Sequence, residues 1–209
     1  MVKRQYEILV LLLILTFAFN PLADLMVSLF FNTKRIDLKS YANIWDTTSI
    51  IMPLLLCLTS LKRSGLVIGE WKLHHKKILL VCLTPIILTL IVYPFTSKPF
   101  HNERVGVWLI SPIAQDLFGG YMYGALDEVF PKRICWANIN YKQAVPLVAL
   151  FGSLWHLHNF QVMAASFVLF QLIYIFIFAF WVYLTRQWTG SILPVWITHV
   201  CVNFICWWF

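Results

Sequence analysis

Apolar runs long enough to cross a bilayer recur along the chain with only short polar connectors between them, and this restricts its possible folds more than any motif does. An apolar helix of about 20 residues spans the hydrocarbon, because in lipid every backbone N–H and C=O must find its partner within the segment. Of the 209 residues, 60% are hydrophobic, and mean hydropathy is +0.76, beyond what a soluble domain needs to fill its core. The sequence predicts an all-α, polytopic transmembrane helix bundle of about seven spans, at 8–30, 44–61, 78–95, 105–126, 144–160, 162–184 and 191–209. Residues 1–209 read as a single integral membrane domain with no separate soluble domain. The first run holds Asn20, Pro21 and Asp24 and lacks a small-residue cleavage site, so it reads as a retained span kinked at Pro21 rather than a removable signal peptide.

Basic residues are distributed unevenly about these spans. Lys3, Arg4, Lys62, Arg63, Lys72, Lys76, Lys77, Lys132, Arg133, Lys142 and Arg186 fall on one side, and Lys34, Arg35, Lys39, Lys98 and Arg104 on the other. The richer side is expected to be cytoplasmic, which puts the amino terminus inside. The net charge of +7 is scattered over short loops without interleaved aromatic residues. That pattern argues against a nucleic-acid partner and for anionic lipids at the headgroup level. The cysteines, Cys57, Cys82, Cys135, Cys201 and Cys206, show no metal or redox spacing, and within apolar runs cysteine behaves as a small hydrophobe.

Against this background a few polar residues stand out: Gln115 and Asp116 in one run, His156, His158 and Asn159 in a second, His199 and Asn203 in a third. Such residues are costly at membrane depth, so they predict a polar chamber between helices. On a helix, Asp116, Gly119, Gly120 and Tyr123 share one face, because positions three or four apart stack. Gly120 and Gly124 remove side-chain bulk there, which lets a second helix or an extended substrate approach the backbone. His156 and His158 point in different directions on a regular helix, and Ser153, one turn before His156, is placed to hold it. His199 and Asn203, four apart, share a face, and Asn203 is expected to orient His199.

Three chemistries use such a set. A carboxylate and a histidine can assist water attack on an amide. Asp116, His156 and His199 can instead ligate zinc, although no H-E-x-x-H element accompanies them; no other cofactor is expected. The third is binding of a membrane peptide or transmembrane protein without bond cleavage. The bare residues leave all three open.

The stretches 112–124, 151–159 and 190–204, with the approach Thr189-Gly190-Ser191-Ile192-Leu193-Pro194, resemble the CPBP family, which includes the CAAX-processing endopeptidases of the Rce1 type. The resemblance covers a motif-bearing core at about 105–209. It implies an intramembrane peptidase acting on membrane-associated peptide or protein substrates. The family pattern is paired glutamates followed by arginine, then phenylalanine followed by histidine, then histidine followed four residues later by asparagine or aspartate. His199 and Asn203 fit the third motif directly. His156 fits the second loosely, since Phe151 lies five residues before it and Gly152 takes the usual offset; His158 is similar to an additional histidine of the Rce1-like branch. The paired glutamates fall on Gln115 and Asp116, and the arginine falls on Gly120.

What the resemblance implies for the site is a catalytic group of Asp116, His156, His199 and Asn203, with Gln115 where the water-activating glutamate is expected. Gly120, Gly124, His158 and Asn159 fall toward substrate or partner. A carboxamide cannot take a proton from water. Either Asp116 serves as the base, although adjacent helical side chains diverge by about 100°, or Gln115 replaces an acidic residue. The other reading is a catalytically silent membrane protein that binds or stabilises a transmembrane partner, with Trp207, Trp208 and Phe209 as an interfacial anchor.

Overall fold

Apolar stretches form helices wherever their placement is described. A computed structural model describes residues 5–15, 17, 75–92, 105–136, 139–157 and 164–208. The elements are α1 (Gln5–Leu15), α2 (His75–Val92), α3 (Val105–Val129), β1 (Arg133–Trp136), β2 (Ile139–Lys142), α4 (Ala144–Trp155), α5 (Ala165–Thr189) and α6 (Leu193–Trp208). Among the described residues one helix, α5, is long and apolar enough to cross a membrane, whereas α1, α4 and Leu193–Ile205 of α6 are apolar but shorter. This corrects the expectation of about seven full-length spans. The run 144–160 yields a helix of only 12 residues, because the chain leaves α4 at Trp155 through a 3₁₀ turn at His156 and Leu157. The run 44–61, with most of 8–30, including Asn20, Pro21 and Asp24, lies outside the described residues.

The local sequence accounts for how the motif-bearing helices end. Gly190 adopts φ 78°, a left-handed conformation that glycine enters without strain, and its N–H donates to Arg186 O at 2.7 Å, closing α5. Ser191 Oγ accepts from Leu193 N at 3.2 Å and starts α6. The corner is short, so α6 runs back along α5.

Buried side chains recur at helical spacing: Phe118, Met122 and Leu126 on α3, Val145, Val148 and Ala149 on α4, Val182 on α5 and Val195 on α6. Where the outside is apolar too, helix association rests on close packing and interhelical hydrogen bonds. Ser153 Oγ donates to Leu172 O at 2.7 Å, Trp181 Nε1 to Val81 O at 2.9 Å, and Gln5 Nε2 to Val129 O at 2.5 Å; Thr89 Oγ1 and Tyr174 Oη lie 2.8 Å apart. Outside this core, Leu79, Leu80, Ile87 and Ile91 of α2 and Leu169, Ile173 and Ile177 of α5 are exposed.

The α-helical architecture carries one addition that the sequence reading did not include, the antiparallel hairpin β1–β2, with Ile134 opposite Tyr141 and Trp136 opposite Ile139. β2 is seated on the end of α5. Lys142 N donates to Gln187 Oε1 at 2.7 Å, Gln187 Nε2 donates to Asn140 O at 3.0 Å, and the Tyr141 ring meets Phe180 edge-on at 5.2 Å. The hairpin therefore marks one end of the bundle, where α3 and α5 finish and α4 begins. The contact of Trp181 with Val81 brings the start of α2 to the same end. Lys76, Lys77, Lys132, Arg133, Lys142 and Arg186 are gathered there.

Candidate active site

Asp116 sits in the middle of α3, 4% exposed, on the face it shares with Gly119, Gly120 and Tyr123, all buried as helical periodicity predicts. Its Oδ1 and Oδ2 lie 3.1 Å and 3.2 Å from Nδ1 of His199 on α6, joining residues 83 apart in the chain. A carboxylate only accepts, so Nδ1 carries the hydrogen and Nε2 is the ring nitrogen turned away from Asp116. The Phe178 ring stands against the imidazole at 5.3 Å and 63°, which fixes its plane from the α5 side. The structure thus brings two of the expected polar residues together directly.

His156 follows the last residue of α4, and its Nδ1 lies 3.0 Å from Gly152 O. The carbonyl accepts, which leaves Nε2 as the nitrogen directed away from its own helix. Trp155 meets Phe118 edge-on at 5.6 Å, bringing the end of α4 to the turn of α3 that carries Asp116. Two expected supports differ from those found. Ser153 does not hold His156: its hydroxyl is spent on Leu172 O, because it faces the α4–α5 seam. His199 is oriented by Asp116 from α3 rather than by Asn203 from its own helix, and Asn203 is half-buried. Gln115 and Gly124 are half-buried as well. His158 and Asn159 lie outside the described residues. Among the described residues no group of three His, Cys, Asp or Glu side chains gathers to hold a metal, so the alternative zinc set of Asp116, His156 and His199 is not assembled.

The small residues of α3 are matched by large ones of α5. A Cβ on Gly119 would fall on the Tyr183 hydroxyl, with Cζ 2.6 Å away, so only glycine admits that ring. One residue on, buried Arg186 donates from Nη1 to Gly120 O, and its Cζ lies 4.3 Å from the centre of the Tyr123 ring. Tyr123 in turn stacks on Tyr183 at 6.4 Å and 15°. The approach expected at Gly120 is therefore made by this chain's own α5. A guanidinium stands beside the very position where the family pattern places an arginine. Sequence reasoning missed Arg186 and Tyr183; the available signal was a basic residue directly following an apolar run and four residues before a helix-ending glycine.

Trp196, one turn before His199, has its Nε1 buried without a hydrogen-bond partner among the described residues. The arrangement provides an imidazole held by a carboxylate, a second imidazole at the neighbouring helix end, and a carboxamide beside the carboxylate in sequence. Such groups can move a proton and stabilise charge on an oxygen.

A family model described as type II CAAX prenyl endopeptidase Rce1-like matches residues 104–205, which carry all of these groups. No curated protein and no solved structure matches the chain.

Proposed function

Residues 104–205 form a Rce1-like domain of the CPBP family of intramembrane proteases, and from that premise we propose that this protein is a multi-pass membrane peptidase acting on membrane-associated peptide or protein substrates. The observation that carries the reading is the pairing of buried Asp116 with half-buried His199. In the proposed reaction, His199 Nε2 takes a proton from water, and Asp116 stabilises the resulting imidazolium through Nδ1–H. The hydroxide attacks the peptide carbonyl carbon, and the oxygen that becomes negative is met by the N–H groups of the Gln115 carboxamide. Collapse of the tetrahedral intermediate breaks the C–N bond, and the leaving amine takes its proton back from Nε2. Asp116 is in this scheme a positioning carboxylate, not the base, and Gln115 needs no acidity.

Membrane integration is supported by the exposed aliphatic side chains of α2 and α5, which a water-facing bundle would not display so continuously. The basic residues gathered at the hairpin end support a cytoplasmic amino terminus, since α1 begins there, with Gln5 bonded to Val129 O. A second reading, a silent protein that binds or stabilises a transmembrane partner, is favoured by one specific observation. Both Asp116 oxygens are engaged by His199, which ties up the acid nearest the expected glutamate position.

The test uses full-length protein in nanodiscs with membrane-anchored, fluorogenic peptides, a prenylated carboxyl-terminal peptide among them. Cleavage by the wild type that falls by about 100-fold or more in His199→Ala supports the proposal. Undiminished cleavage in both His199→Ala and Asp116→Asn rejects the site. Copurification of a transmembrane partner without turnover, undisturbed by Gln115→Glu, favours the second reading.

A further inference from the structure

The β1–β2 hairpin stands apart from the site and is unusually two-faced for so short an element. Cross-strand partners share a face, so Ile134 and Tyr141, with Trp136 and Ile139, form one apolar side, and Arg133, Cys135, Asn140 and Lys142 form the other. Tyr141 anchors the apolar side against Phe180. β1 overhangs that anchor. All its side chains are exposed, Ile134 by 37% and Trp136 by 68%. A tryptophan this exposed is not held by packing among the described residues, yet the ring combines an apolar body with a polar N–H, the combination favoured where hydrocarbon meets headgroups. Lys132 and Arg133 are exposed beside it, while Lys142 is drawn to Asp127 at 2.5 Å. Lys132 and Arg133 lie next to the apolar edge, at the end of the bundle where Lys76 and Lys77 also lie.

We infer that this hairpin is a membrane-interface anchor: Ile134 and Trp136 enter the boundary of the hydrocarbon, and Lys132 and Arg133 contact the phosphates of anionic lipids. The inference rests on the membrane reading above and adds a lipid site outside the peptidase machinery. Charge complementarity selects an anionic surface as the occupant, and α5, the helix on which the hairpin is seated, exposes Leu169, Ile173 and Ile177 as well. Its consequence is positional. β2 is hydrogen-bonded to Gln187, next to Arg186, so anchoring the hairpin also sets the depth of the α5 end that holds Gly120.

Spin labels at single cysteines test this in the full chain in nanodiscs. Ile134→Cys, Trp136→Cys and native Cys135 are each labelled in a background otherwise free of cysteine, with Ile173→Cys on α5 as the lipid-facing control. The expected result is alternation: oxygen collides more than a water-soluble nickel chelate at 134 and 136, and the order reverses at 135. Raising the anionic lipid fraction deepens the 134 and 136 labels, and Lys132→Ala with Arg133→Ala removes that response. Uniform nickel access at all three positions, or exclusion of both reagents at 134 and 136 as in a protein contact, overturns the inference while the α5 control still reports lipid. Nickel access at Ile173→Cys overturns the membrane reading itself. In the unaltered chain Cys135 is expected to react with a charged maleimide, and protection of that thiol equally counts against the anchor.

Discussion

Asp116 offers both carboxylate oxygens to a single ring nitrogen of His199, at 3.1 Å and 3.2 Å from Nδ1, across the α3–α6 seam. The contact settles which way the imidazole is turned. In the proposed reaction it also reverses the roles that the sequence pattern suggests for the two residues: the acid orients, and the nitrogen left to act on water belongs to the histidine.

Asp116→Asn tests that reversal. The carboxamide fills the same volume but loses the charge that stabilises an imidazolium, and its NH2 group can turn the ring to the wrong tautomer. By the logic of acid–histidine catalysis, peptide cleavage is expected to fall by about 10²–10⁴-fold in kcat with KM little changed. His199→Ala leaves a buried carboxylate without its donor, so it is expected to cost about 1.5–3 kcal/mol of stability besides abolishing turnover. Fluorogenic peptide kinetics and thermal unfolding in detergent separate the two effects. Equal kcat in Asp116→Asn and wild type would remove the carboxylate from the mechanism.

Gly119→Ala puts a methyl group where the Tyr183 hydroxyl lies. That ring is buried and stacked on Tyr123, so it has little room to yield, and the variant is expected to lose about 1–3 kcal/mol. Combining it with Tyr183→Leu, which withdraws the ring, is expected to cost less than the sum of the two single changes. Additive losses, measured as unfolding midpoints of the single and double variants, would mean that the two positions do not meet.

The helical face of Asp116, Gly119, Gly120 and Tyr123 was legible in the sequence because helix periodicity alone fixes it. The convergence of Asp116 and His199 was legible for a different reason: polar groups at depth must find one another. Arg186 was not, because a basic residue just past an apolar run reads as a loop charge, and only the continuation of α5 to Thr189 turns it inward. Tyr183 could not be distinguished from the exposed aromatic residues of the same helix, Phe167 and Phe170. The hairpin did carry a period-two pattern, Arg133-Ile134-Cys135-Trp136 and Ile139-Asn140-Tyr141-Lys142, but at four residues a strand it is too short to separate from a charged connector. The shortness of α4 depends on where the chain turns at His156, which hydropathy does not encode.

Trp196 carries the one buried side-chain polar atom without a partner among the described residues. An unsatisfied buried donor is a standing cost, so Trp196→Phe is expected to leave stability unchanged or raise it by about 1 kcal/mol, the lost ring volume offsetting part of the gain. A loss of more than about 2 kcal/mol would show that the indole nitrogen has a partner in the folded protein. The unfolding midpoint of the variant decides this directly.

The Arg186–Gly120 contact gives the sharpest test, because it joins the fold to the family pattern. The resemblance expects an arginine at position 120, and here the guanidinium reaches that backbone from α5, stacked on Tyr123. Two cations cannot share the buried space, so Gly120→Arg alone is expected to abolish recovery of folded protein. Arg186→Ala alone removes a charged donor from Gly120 O and the stack on Tyr123, at a cost of about 1.5–3 kcal/mol. Arg186→Lys should recover little of it, since an ammonium has no planar group to lie on the ring. In the double variant Gly120→Arg with Arg186→Ala, one guanidinium again serves one site, and folded yield by size-exclusion chromatography is expected to exceed that of Gly120→Arg. If the single Gly120→Arg variant folds and unfolds like the wild type, the two positions do not compete for one buried cation, and Arg186 is not the residue that fills the gap at position 120.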